Sequence, residues 1–272
     1  MLSDLLEYGF VTRALLAGIL LGTVLPVVGM FLVVRRYSLF ADTLSHVALA
    51  GASVFSLFGL PIILGAAASS VVAGLGLETL RRSSRLGGEA LLALFLSGSL
   101  AIAVTVSTFS NGGRGAFIGL LFGSVSTVTG DDVVLIAIGT ILILAMVSVL
   151  WRRLFFLSLD EELASASGLP TRGLSALLTG ITALLMALSL PIVGALLLGA
   201  LMVLPVLTAL QLRLGFHRTT LFAVGFSLLS VLTGLILSAT FNLPSGATVV
   251  LCGVIVFCLV FILASAFRMR GR

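Results

Sequence analysis

Runs of about 20 mostly apolar residues follow one another along this chain with only short polar breaks. Each is long enough to cross the ~30 Å hydrocarbon core of a bilayer as a helix rising 1.5 Å per residue. The runs fall near 10–34, 43–60, 62–80, 89–110, 132–151, 172–190, 192–212, 219–240 and 245–267. Backbone polar groups in lipid must be satisfied within the segment, so the expected fold is all-α: a polytopic helical membrane protein of about nine spans (eight to ten), forming a single domain over 1–272. Composition agrees. Sixty per cent of residues are hydrophobic and 9% charged, with a mean hydropathy of +1.31, whereas soluble domains carry roughly 25% charged residues.

Pro61, Pro191 and Pro244 are expected turns, and Arg81-Arg82-Ser83-Ser84-Arg85 is a polar break. The stretch from Asn111 to Gly130 is rich in glycine and its apolar part is too short to span. It reads as an outer loop with a re-entrant piece, which needs protein around it. Met1 to Phe10 contains Asp4 and Glu7 and no basic residue, unlike the positive start of a signal peptide, so the first run reads as a retained span. Placing the N-terminus outside puts thirteen arginines on the cytoplasmic side, the C-terminal Arg268, Arg270 and Arg272 among them, and leaves Arg13 and Arg114 outside. That asymmetry follows the positive-inside rule and predicts a multi-pass cell-membrane protein with a cytoplasmic C-terminus. The main cytoplasmic segments are then 152–172, with Asp160-Glu161-Glu162, and 211–220.

Every one of the fifteen basic residues is arginine. Without lysine there is no P-loop, G-x-x-x-x-G-K-[ST], so any ATP hydrolysis belongs to another chain. The pI near 10.5 does not indicate nucleic acid, because the arginines are scattered between apolar spans rather than gathered in a patch. Cys252 and Cys258 share one apolar run and suggest neither a disulfide framework nor a zinc knuckle.

One span carries polar residues where lipid would exclude them. From Ser38 to Ser56, Ser38, Asp42, Ser45, His46, Ser53 and Ser56 share an arc of about 100° on a continuous helix. Thr43 lies outside the arc, and Leu44, Val47 and Phe55 form the opposite face, turned to lipid or packing. The stripe reads as the lining of a pathway. Asp42 and His46 are spaced i, i+4, so their side chains can converge; a carboxylate with a neutral imidazole suits zinc, manganese or iron. Alternatively Asp42 caps the helix and His46 meets a neighbouring carbonyl. An intramembrane enzyme fits poorly. His46 begins no H-E-x-x-H motif, and Ser53 lies two turns from it, too far for base and nucleophile. Elsewhere, Glu78 and Glu89 read as salt-bridged helix ends, Asp131 and Asp132 as caps, and His217 as solvated. Gly18 and Gly22, like Gly119 and Gly123, have the small-xxx-small spacing of close helix contacts.

These residues resemble the permease subunits of the metal-ion ABC importers, the zinc/manganese/iron uptake family. Ser38-Leu39, Asp42, Leu44-Ser45-His46, Leu49 and Gly51 match its S-L-x-x-D-x-L-S-H-x-x-L-x-G pattern. Leu121-Phe122-Gly123 matches its L-F-G, and Asp160 to Leu169 its D-x-E-x-A-x-x-x-G-L. Val193-Gly194 through Pro205, and Leu243-Pro244-Ser245-Gly246, continue in order. The chain departs from the family where an acidic residue or histidine often precedes L-F-G: here only Arg114 is charged. The resemblance implies a homodimer, two cytoplasmic ATPase subunits, an external metal-binding protein, and Asp42 and His46 on the path of a transported divalent metal ion, with no permanently bound cofactor. It also implies a fold related to the vitamin B12 and siderophore permeases, whose chelate cargo is the alternative function. Coupling to the ATPase is expected at 204–219, through Gln211, Leu214, Phe216 and Arg218.

Overall fold

A computed structural model describes residues 9–83, 88–109, 113–123, 129–241 and 243–270, which are helical nearly throughout. In chain order the helices are α1 (Gly9–Val34), α2 (Ser38–Leu57), α3 (Ile62–Ser83), α4 (Gly88–Phe109), α5 (Gly113–Phe122), α6 (Gly130–Leu159), α7 (Glu161–Ala166), α8 (Thr171–Val193), α9 (Ala195–Leu210), α10 (Phe216–Phe241) and α11 (Ser245–Arg270). Eight of them, all but α5, α7 and α9, are long and apolar enough to cross a membrane. The nine expected spans thus become eight long helices and α9, whose 16 residues rise only about 24 Å.

Burial sorts the helices. α1, α2 and α8 are mostly enclosed, whereas α4, α6 and α11 turn most of their apolar side chains outward, as lipid-facing helices do. α9 lies among α1, α2, α10 and α11. Gly18 and Gly22 bring α1 against Val231 of α10. α5, ten residues long, is too short to cross, and packs against α4, α8 and α9 as a re-entrant piece must.

Two boundaries differ from expectation. Pro191 does not end a helix; it lies inside α8. Proline is tolerated within buried spans because neighbours can re-satisfy the carbonyl it frees. The break falls three residues later at Gly194, with φ +85° and ψ 147°, a conformation essentially reserved for glycine. A methyl group there would also strike the backbone of Leu121, Phe122 and Gly123. Gly123 has φ +73° and lies against Ile192 O, while Gly246 lies against Val193 O. Three separated motifs, L-F-G, V-G and L-P-S-G, therefore meet in one backbone junction at the start of α9. The second difference is at α2, which starts at Ser38 rather than 43.

Of the minor expectations, Asp132 does cap α6. Thr129 N donates to Asp132 Oδ2 at 3.0 Å, and Asp132 N donates back to Thr129 Oγ1 at 3.3 Å. Glu78 is salt-bridged near the end of α3, 3.8 Å from Arg81, as expected. It is buried and accepts from Ser175 Oγ at 2.8 Å.

Candidate ion site on helix α2

Because α2 begins at Ser38, Asp42 is its fifth residue, beyond the first-turn amides a cap would satisfy. The residue before the helix, Tyr37, makes no side-chain cap hydrogen bond either. The capping alternative therefore fails. The half-buried Asp42 carboxylate makes no hydrogen bond or ion pair among the described residues, and α9 passes against it at Gly199, where a Cβ would stand 2.9 Å from Oδ1.

His46, one turn further along, is 6% exposed. Its Nδ1 is buried and without a hydrogen-bond partner among the described residues, so the neighbouring-carbonyl alternative does not account for that nitrogen. Such an orphan costs about 1–3 kcal/mol. It calls for an explanation by function, water or an ion.

The rest of the stripe divides. Ser45 is fully buried and its Oγ lies 2.7 Å from Asp42 O and 2.8 Å from Ala195 O, tying α2 to the first residue of α9 beside the glycine junction. Ser53 donates to Leu49 O of its own helix at 2.9 Å, which leaves no role as a nucleophile. Ser38 and Ser56 are half-buried. On the opposite face Leu44 and Val47 are buried, so that side is packing and not lipid contact. Outside the stripe, Thr43 donates to Leu39 O at 2.9 Å and lies 3.3 Å from Leu92 O of α4. No group of three or more His, Cys, Asp or Glu side chains comes together among the described residues. Asp42 and His46 are a two-residue constellation.

At the arginine-rich end, two features stand out that pattern-reading did not find. Arg35, whose side chain is 5% exposed, pairs with Glu161 at 2.9 Å and donates to Ser175 Oγ at 3.2 Å. Arg81 lies 3.8 Å from Glu78 and 3.7 Å from Glu161. Both guanidiniums lie over the Tyr37 ring, 4.9 and 4.7 Å from its centroid. Burial pushes the Tyr37 phenol above its ordinary range, against the opposing pull of the two arginines. The cluster ties the end of α1 to α3, α7 and α8 around Tyr37, the residue before α2. Only the charges hinted at it, since its members lie up to 140 residues apart.

The second feature is aromatic. Phe216 turns inward against Phe155 (4.7 Å between centroids), Phe31 (5.3 Å) and Trp151 (5.5 Å). Around it, Arg213, His217 and Arg218 are exposed and Gln211 and Leu214 half-buried. His217 is not purely solvated, because its ring meets Trp151 edge-on at 5.7 Å.

A model of the ABC 3 transport family matches residues 7–264. The chain belongs to that family. It is 30% identical over 263 residues to the manganese transport system membrane protein MntC of Listeria innocua, covering 97% of this chain and 94% of that protein. It is 30% identical over 250 residues to the high-affinity zinc uptake system membrane protein ZnuB of Haemophilus influenzae, covering 90% and 94%. Among solved structures, PsaBC from Streptococcus pneumoniae in complex with Fab superposes with a TM-score of 0.87 at 24% identity, over 96% of this chain and 95% of that one. The ABC 3 chain thus shares the PsaBC fold, and its family match runs through every motif on which the resemblance rests.

Proposed function

We propose that this chain is the membrane permease of an ATP-binding-cassette importer that moves a divalent transition-metal ion (zinc, manganese or ferrous iron) inward, and that Asp42 and His46 hold the ion in passing. The observation that carries the reading is the buried His46 Nδ1, one turn from the Asp42 carboxylate on a well-enclosed membrane helix, neither of them with a hydrogen-bond or ion-pair partner among the described residues. An imidazole and a carboxylate are ligands that zinc, manganese and iron accept. Two protein ligands alone, with water completing the shell, suit an ion that must also leave. The relatives named for manganese and zinc transport point to the same cargo class.

Hydrolysis belongs to a separate ATPase, since a chain without lysine has no P-loop. The expected assembly is a homodimer with two cytoplasmic ATPases and an external metal-binding protein. The arginine asymmetry supports an external N-terminus and a cytoplasmic C-terminus; Arg114→Cys should label from outside and Ser84→Cys only after permeabilisation. The exposed Arg218 with Gln211 and Leu214 is the proposed ATPase contact, and the inward Phe216 anchors that turn. Exposed Leu163 on α7 extends the apolar surface at the same end.

Proteoliposomes holding the permease with its ATPase and binding protein test the reading. ATP on the arginine-rich side should drive accumulation of at least one of radiolabelled zinc, manganese or iron. ATP-independent uptake, or transport of a chelate only, would contradict it.

A further inference from the structure

α6 and α10 both pack on α1 and touch one another through Trp151 and Phe216. Between them they leave a flank groove of about 730 Å³ with Val27 of α1 among its lining residues. Leu144, Val149 and Leu221 line its apolar length, and Arg152, Arg153 and His217 its other end. From Leu144 to Arg153 the helical rise is about 14 Å, so the apolar lining runs from Leu144 up to Val149, next to the basic end. Among the described residues no carboxylate lines the groove. Arg152 and Arg153 are exposed and form no ion pair among the described residues. The edge contact of Trp151 orients the His217 ring, and indole is a side chain favoured at the membrane–water boundary.

We infer that this groove is a binding site for one anionic phospholipid, its phosphate held by Arg152, Arg153 and His217 and an acyl chain laid along Leu144, Val149 and Leu221. The chemistry of the two ends carries the assignment. Guanidinium binds phosphate through paired N–H donors, and basic pockets between membrane helices capture acidic headgroups, while 83% exposure of Val149 suits only an apolar neighbour. A second copy brought here by a two-fold axis would set its own Arg152 and Arg153 near these, like charge against like. The inference needs the membrane helices alone and stands apart from the transport reading.

Native mass spectrometry of the purified full-length chain, titrated with phosphatidylglycerol or phosphatidylcholine, tests it. Phosphatidylglycerol should bind about thirtyfold more tightly, given roughly 1 kcal/mol for each of the two arginines at a membrane surface. That preference should vanish in Arg152→Gln/Arg153→Gln and persist in Arg36→Gln/Arg172→Gln, which removes exposed arginines elsewhere. Leu221→Trp, which narrows the groove without altering charge, should weaken binding severalfold, with helical content by circular dichroism unchanged. Equal binding of the two lipids, equal loss in both arginine double variants, or a dimer that Arg152→Gln/Arg153→Gln dissociates would each overturn the site.

Discussion

Gly199 of α9 stands against Asp42 of α2 so closely that a methyl group there would lie 2.9 Å from the carboxylate Oδ1 and 3.2 Å from Asp42 Cα. The space beside the carboxylate is therefore set by the absence of a side chain on α9. Gly199→Ala should push Asp42 or α9 aside by a few tenths of an ångström. Overpacking of this kind costs about 1–3 kcal/mol, and displacement of a ligand should lower metal uptake by about tenfold or more. Gly180→Ala on α8, which meets nothing within 4 Å, is the matched control and should transport normally. Initial uptake rates at equal protein incorporation check the pair.

The glycine junction makes a harsher prediction. Gly194 combines φ +85° with backbone of Leu121, Phe122 and Gly123 in the space a Cβ would need, so Gly194→Ala faces both strain and collision. More than about 3 kcal/mol of destabilisation is expected. Folded yield by fluorescence-detected size exclusion should collapse for Gly194→Ala and remain normal for Gly115→Ala, where the added methyl meets nothing.

Arg35 and Glu161 bridge 126 residues of sequence at 2.9 Å. Removing Arg35 takes the nearer of two cations from Glu161, which keeps Arg81 at 3.7 Å, so the loss is that of a charge-assisted hydrogen bond, about 1.5–3 kcal/mol. Arg35→Met, which also abandons Ser175, should lower the thermal midpoint. Arg35→Met/Glu161→Met should recover part of that loss. If the double variant proves less stable than Arg35→Met, the pair is not the element that holds α7 to α1.

Much of this organisation is written in local pattern. Apolar runs of spanning length identified the helices, because lipid admits little else, and the polar stripe from Ser38 to Ser56 announced itself against an apolar background. What stayed hidden was decided by partners distant in sequence. Proline punctuation misled at Pro191, since a buried span tolerates it, and the real break at Gly194 depends on backbone from α5 and α11. Phe216 is expected from the sequence at the ATPase contact, yet the half-buried ring packs on Phe31, Trp151 and Phe155. Glu78, beside its i+3 neighbour Arg81, also meets Ser175, 97 residues away in sequence, which its own neighbourhood does not reveal.

The central claim is that Asp42 and His46 together bind the transported ion. It is tested most directly by ATP-driven radiometal uptake in proteoliposomes carrying the complete importer with wild-type, Asp42→Asn or His46→Ala permease. Asparagine preserves the shape of Asp42 but removes the charge that a divalent cation requires, and alanine removes the imidazole whose Nδ1 has no hydrogen-bond partner among the described residues. Each variant should lose about 90% or more of uptake, by the ~10–100-fold scale on which altered metal sites lose function, while complex assembly and basal ATP hydrolysis persist. Uptake at the wild-type rate by either variant, with the complex intact, would contradict the assignment.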